Sequence, residues 1–468
     1  MDDNQLFDVV VIGAGPGGYV SAIRASQLGL KTAIVDKEWL GGVCLNVGCI
    51  PTKALLKNAD LVHTLKNRAR EFGVSFENLQ ADFSVAVNRS RQVSKRLTLG
   101  VNALMKKNNI EVLMGQARLV AKDKVAVTSG DGSVREISAK NIIIASGAYS
   151  MPLPGVTIDG QKVLSYKEAI LQTTRPEKVV IIGGGAIGVE FATVWNSYGS
   201  QVTIVEMMPH ILPNEDEEIS AELTKIYSKR GIQVLSGHRF ESVELTNSGV
   251  KIKVSAEGAP KELEADQVLV AVGFKPNSSD LGLESLGVKL CPRGFIEVDE
   301  KMATNVAGLW AIGDVTGKLL LAHVASAQAM VCAEAIAGLD TTPLDYVMMP
   351  RAVYSHPQVA SFGMTETEAQ KKGLETKTAR FPFQANGKAL GMADYAGFIK
   401  IVSEAQTGKL LGAQMIGPDV SELLPELTLA WQNGLTIGDI GHNVHAHPTL
   451  SEVIMEAAHA ASGHAIHI

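Results

Sequence analysis

The chain has 468 residues, 46% of them hydrophobic and 20% charged, which suits two to four domains with buried cores and excludes a disordered or fibrous chain. A formal net charge of −6 provides no basic field for nucleic acid, and four cysteines do not make a secreted disulfide scaffold. The acidic opening Met1-Asp2-Asp3 is neither a signal nor a transit peptide, and the most continuous apolar run, residues 179–189, is too short to span a bilayer; a cytoplasmic protein (bacterial, or a mature organellar form) without membrane insertion is expected.

Residues 9–12 are a β-branched run that reads as a buried strand. Gly13-x-Gly15-x-x-Gly18 follows at once and opens a helix, and a second apolar run ends on Asp36, 23 residues after Gly13. The first glycine permits a tight turn and the second lets the backbone approach a pyrophosphate. The third lets helix pack on strand, with phosphate at the helix N-terminus. The terminal carboxylate can accept hydrogen bonds from ribose hydroxyls.

Residues 140–146 read as a further strand running into Gly147, and residues 150–154 as a linker. The opening pattern then returns. Residues 178–206 match residues 8–36 at a constant offset of 170, with ten of 29 positions identical; Gly183, Gly185, Gly188 and Glu206 fall on Gly13, Gly15, Gly18 and Asp36. One such glycine motif is a weak signal, but two in the same strand–turn–helix–strand–acid context predict two bound dinucleotides. Residues 266–272 run into Gly273, and residues 308–314 form a strand ending on Asp314. From about residue 346 strand-like runs (397–402, 409–416) precede helical segments (421–433, 450–461) without another phosphate loop, as in an α+β domain for packing or assembly.

Residues 41–53 read Gly-Gly-Val-Cys-Leu-Asn-Val-Gly-Cys-Ile-Pro-Thr-Lys. Pro51 suits the first residue of a helix, which places Cys49 beside a helix N-terminus whose partial positive charge stabilises a thiolate. Lys53 lies one turn beyond Cys49. A Cys-x4-Cys pair beside a dinucleotide loop suggests a redox-active disulfide taking electrons from a flavin. Zinc would need two further ligands at matching spacing, and two inert buried thiols are the plain alternative. Cys291 and Cys332 are isolated and read as structural. Glu190, two residues after Gly188, is either an acid favoured by the helix dipole or a functional carboxylate. Six of the eleven histidines lie in residues 442–468, yet His445 and His447 alternate as on a strand and no carboxylate completes a ligand set, so no metal site is expected.

The segments GAGPGGY, GGVCLNVGCIPTKALL, GGGAIGVE, VGFKPN, AIGDV and HAHPTLSE occur in that order over essentially the whole chain. Together they resemble the flavoprotein disulfide reductases, and among them the branch that oxidises dihydrolipoamide. The resemblance implies an α/β fold with two Rossmann-like dinucleotide-binding domains and a C-terminal α+β dimerisation domain. It divides the chain into residues 1–150 (FAD), 151–270 (NAD), 271–345 (a return to the FAD domain) and 346–468 (dimerisation). It implies FAD at Gly13, Gly15, Gly18, Asp36, Lys37, Gly42, Lys53, Gly115, Ser146, Gly147, Asp314 and Ala322. NAD would be held at Gly183, Gly185, Ile187, Gly188, Glu206 and Gly273. Cys44 matches the thiol that exchanges with substrate and Cys49 the thiol nearest the flavin; Lys53 and Glu190 match an ion pair beside it. His447 matches the acid–base residue and Glu452 its orienting partner.

The implied assembly is a homodimer that serves a separate lipoyl-bearing acyltransferase or glycine-cleavage carrier protein. A glutathione- or mercuric-reductase-like enzyme, or a scaffold subunit without turnover, are the alternatives. Three positions depart from the common pattern: Asp36 stands for Glu, Val43 for Thr, and Phe274 where Arg often follows the glycine.

Overall fold

In the computed structural model, which describes residues 6–468 and so leaves the acidic opening stretch outside, Leu6–Ile12 lies between two parallel neighbours, Thr32–Asp36 and Val134–Ile144. Val9, Val10 and Val11 are fully buried because both faces of a parallel sheet are covered. The sheet continues outward to Glu111–Met114 on one side. On the other it continues through Lys124–Thr128 and Gln116–Ala121, which run antiparallel. Leu309–Ala311 returns to pair with Val134–Ile144, and helix Ala322–Ile336 packs on helix Pro16–Gln27.

A second sheet is centred on Lys178–Ile182. Its order is Gln233–Leu235, Gln201–Val205, Lys178–Ile182, Gln267–Val270, Val163–Leu164, all parallel. An antiparallel meander, Arg239–Leu245, Val250–Ala256 and Ala259–Ala265, joins it to its last long strand. The chain crosses between the two units twice, and the crossings pair with each other: Ala148–Ser150 runs antiparallel to Phe274–Pro276. The start of the expected linker is therefore a short strand.

The third sheet is wholly antiparallel, in the order Arg351–Val353, Gln358–Gly363, Leu410–Gly417, Phe398–Glu404, Thr376–Pro382. Helices Leu424–Gln432, Ile437–His442 and Glu452–Ala461 pack with it around one apolar core. The first begins at Leu424 rather than residue 421 because Pro425 belongs in a first turn, where its missing N–H costs nothing.

The units are joined by both apolar and ionic contacts. Leu55 of helix Cys49–Arg68, Val189 and Trp195 of helix Ala186–Ser197, and Val359 and Ile416 of the third sheet share one core. Lys400, almost fully buried in the third sheet, meets Asp216 at 2.9 Å and Glu218 at 2.7 Å beside the second. Burying that ammonium is tolerable only because both carboxylates come with it. Among the described residues no helix is long and apolar enough to cross a membrane.

Candidate active site

A cavity of about 860 Å³ runs along the carboxyl ends of the first sheet and reaches the second unit. Gly13, Gly15, Asp36, Lys37 and Gly42 line one stretch of it; Gly115, Ser146, Gly147, Asp314 and Ala322 line another. Gly13 has φ 102°, and a side chain there would meet the Ala145 carbonyl oxygen at 2.3 Å. A Cβ on Gly15, by contrast, would meet nothing within 4 Å: the backbone is bare toward the cavity, as a pyrophosphate cradle requires. Gly18 sits beneath the loop, where a Cβ would come 1.8 Å from the Gly13 oxygen. Asp36 closes the loop by accepting the Ala14 N–H at 2.7 Å, while its other oxygen accepts from Glu38 and Trp39. Asp314 is half-buried at the cavity wall, and desolvation alone pushes its carboxyl up to about 6. A long slot with a bare glycine cradle at one point and hydroxyl-binding carboxylates at others fits a dinucleotide.

The thiols stand where this slot approaches the second unit. Cys44 lies in the short helix Gly42–Asn46, pressed so close to the phosphate loop that a Cβ on Gly42 would come 2.5 Å from Gly15 Cα. Cys49 is itself the first residue of helix Cys49–Arg68, and Pro51 sits two positions further in than expected. The first turn accepts proline anywhere, since those N–H groups have no partner within the helix. Both cysteines are free thiols, hydrogen-bonded to each other. That bond, opposed by burial and aided by Lys53, holds Cys49 below the ordinary thiol value. The same bond, with burial, pushes Cys44 up.

The crossing of helices Cys49–Arg68 and Ala186–Ser197 brings Lys53 Nζ within 2.9 Å of both Glu190 oxygens. Glu190 also accepts the Tyr354 N–H at 3.0 Å, so it is more than an N-terminal acid of its helix. Burial pulls Lys53 down, but Glu190 outweighs it and the ammonium is held above its ordinary value. Sequence reasoning missed Tyr354, because its partner lies 164 residues away on another unit. It also missed the aromatic pair of Phe274 and Tyr166, 6.0 Å apart, which borders the cavity where Arg was expected.

The second glycine loop repeats the first in detail. Gly183 has φ 108°, a Cβ on Gly185 would meet nothing within 4 Å, and one on Gly188 would come 2.0 Å from the Gly183 oxygen. Glu206 accepts the Gly184 N–H at 2.7 Å and the Met208 N–H at 2.8 Å. Ile187 and Glu190 line the main cavity, whereas Gly183, Gly185, Gly188, Glu206 and Gly273 lie outside it.

His447 and Glu452 also lie outside it. His447 Nδ1 meets Glu452 Oε1 at 2.8 Å, and Glu452 Oε2 accepts the Thr449 N–H at 2.8 Å. The carboxylate is thus fixed at both oxygens and the imidazole at one nitrogen, leaving Nε2 free on a side chain that is 77% exposed. His445 is different: its ring is buried and both nitrogens are engaged, by Asn443 O and Glu426. Among the described residues no group of histidines, cysteines and carboxylates could hold a metal ion.

Two glycine cradles, a thiol pair in the cavity of the first and an adjoining antiparallel domain define a nucleotide-dependent flavoprotein oxidoreductase. The chain belongs to the pyridine nucleotide-disulphide oxidoreductase family, whose model matches residues 7–329 and whose dimerisation domain matches residues 349–458. It is 49% identical over 464 residues to the dihydrolipoyl dehydrogenase of Mycobacterium leprae, covering 98% of this chain and 99% of that one. To the protein of the same name from Chlorobaculum tepidum it is 47% identical over 453 residues, covering 97% and 96%. The fold matches the crystal structure of LpdA from Mycobacterium tuberculosis with a TM-score of 0.90 at 27% identity, covering 97% of this chain and 99% of that one. It matches the HOCl-induced flavoprotein disulfide reductase RclA of Escherichia coli, in its Cu(II) complex, at 0.88 and 26%, with the same coverage.

Proposed function

We propose that this chain oxidises protein-bound dihydrolipoamide to lipoamide and reduces NAD⁺, working as a homodimer on a lipoyl group carried by another protein. The observation that carries the reading is the Cys44–Cys49 pair in the cavity that the first glycine loop lines, with Lys53 and Glu190 locked beside it. The first cradle, Asp36 and Asp314 would hold FAD, which when bound would supply a two-electron link between the thiols and a nicotinamide nucleotide held at the second cradle.

The chain's own residues handle the protons and sulfurs. His447 of the partner subunit takes a proton from the substrate dithiol at the free imidazole nitrogen. Glu452 holds the other nitrogen protonated, which fixes the tautomer. The substrate thiolate attacks Cys44 of a Cys44–Cys49 disulfide, a mixed disulfide forms, and Cys49 leaves as a thiolate. His447 returns its proton to the departing Cys44 sulfur and takes the proton of the second substrate thiol, whose sulfur displaces Cys44. Lipoamide departs, and the two cysteines remain as a reduced pair. Lys53 and the start of helix Cys49–Arg68 favour the departing Cys49 thiolate.

Removing a general base costs roughly 10²–10⁴-fold. His447→Gln is therefore expected to lose most dihydrolipoamide turnover and Glu452→Gln an intermediate amount. NADH oxidation by an artificial acceptor survives in both. Mixing inactive Cys44→Ser and His447→Gln homodimers under subunit exchange restores activity, because each heterodimer contains one intact site. Demonstrated exchange without recovery refutes the shared site.

A further inference from the structure

Tyr354 follows the strand Arg351–Val353 of the third unit and reaches the ion pair between the first two units. Its backbone N–H donates to Glu190 Oε1 at 3.0 Å, and its ring lies under the ammonium it faces, with Lys53 Nζ 4.6 Å from the ring centroid. Lys53 thus has two attractions besides the thiols: a carboxylate on one side and an aromatic face on the other. They act differently on Cys49. Glu190 holds the ammonium but, as an anion, also opposes a thiolate. The ring attracts the cation through its quadrupole and adds no net charge.

We propose that the aromatic face of Tyr354 is a positioning element that keeps the Lys53 ammonium charged and aimed at Cys49, so that the third unit sets the ease with which Cys49 becomes a thiolate. The proposal rests on the reading of Cys49 as the flavin-side thiol. The groups acting on Cys49 are Cys44, Lys53 and Glu190, and Tyr19 also senses both thiols. Tyr354 itself acts through Lys53, whose ammonium lies over its ring.

The test uses flavin-loaded enzyme carrying Cys44→Ser, so that Cys49 titrates alone. Its alkylation by iodoacetamide, located by peptide mass spectrometry, is followed against pH, with long-wavelength absorbance as a second signal. The midpoint is expected well below the ordinary thiol value. Adding Tyr354→Phe leaves it in place, since the ring face is kept. Adding Tyr354→Leu raises it by roughly half to one pH unit, a three- to tenfold loss of thiolate, and weakens the absorbance in step. Tyr354→Met carries the same expectation if the leucine variant does not fold. An unchanged midpoint in the Leu or Met variant overturns the proposal, and so does a rise in the Phe variant equal to that in Leu. An ordinary midpoint in the Cys44→Ser parent refutes the thiolate reading itself, and the proposal falls with it.

Discussion

The two glycine loops are close copies with different surroundings. Each turns at a left-handed glycine, bares its second glycine, and is tied by a terminal carboxylate to the N–H of the residue after the first glycine, at 2.7 Å in both. The first is walled in. The thiol helix presses on it at Gly42, Gly115 and Asp314 line the far side, and the returning helix Ala322–Ile336 packs on its own helix. The second has no such cover: Met207 and Met208, next to Glu206, are exposed. On the function proposed above, identical local chemistry serves a retained ligand in one place and an exchanging one in the other. Retention is a property of the neighbours, not of the motif.

The most severe way to break this comparison is to block both loops identically. A Cβ at Gly18 or Gly188 collides with a loop carbonyl to nearly the same degree. Gly18→Ala should yield colourless protein with activity essentially abolished. Gly188→Ala should stay yellow and lose nucleotide-dependent turnover through a raised KM. Absorbance of the purified variants decides; equal flavin content in the two would show that the loops are not functionally distinct.

A smaller effect concerns which nucleotide the open loop takes. Glu206 presents negative charge where a 2′-phosphate would lie, and no Arg or Lys occurs between Gly188 and Lys225. Like charges in that position cost several kcal/mol, so kcat/KM should favour NAD⁺ over NADP⁺ by roughly 10²–10³-fold. Glu206→Gln should narrow the gap. A parent enzyme equally active with NADP⁺ would remove the assigned role of Glu206.

The mildest test addresses the walled site. Asp314 carries a pKa of about 6 through burial, against an ordinary value of 3.8. A raised carboxyl pKa means that ionisation opposes folding. The penalty is absent below about pH 4, grows through pH 6, and reaches ~2–3 kcal/mol above it. In flavin-stripped protein, Asp314→Asn should therefore raise thermal stability at pH 8 and match the parent near pH 4. A gain of the same size at both pH values would assign it to packing instead.

Much of the site could be read from the chain because its signals are local. The two glycine loops, their terminal acids and the Cys-x4-Cys segment each occupy a single short stretch, so spacing alone carries them. What sequence could not show is contact between stretches. Glu190 has two readings until helix Cys49–Arg68 crosses its own helix and delivers Lys53. Tyr354 and Lys400 find their partners only through packing of distant units. The meander Arg239–Ala265 was missed for another reason. Its outer strands carry mostly exposed polar residues, and only Val250, Ile252 and Val254 alternate clearly into a core. The start of helix Cys49–Arg68 was misplaced by two residues because proline fits any position in a first turn.

The return of Leu309–Ala311 to pair with residues 142–144 has a consequence for how the chain is made. The first sheet is incomplete when its opening strands leave the ribosome, and its last strand follows about 170 residues later. At ~5–20 residues per second that is a delay of roughly 10–30 s. The intervening unit, all of whose strands fall within residues 163–270, can close meanwhile. In closing, it draws the two crossing segments together and shortens the loop that the late strand must span. The intervening unit can thus mature first during synthesis, whereas the first cavity is complete only when Asp314 and the helix behind it arrive.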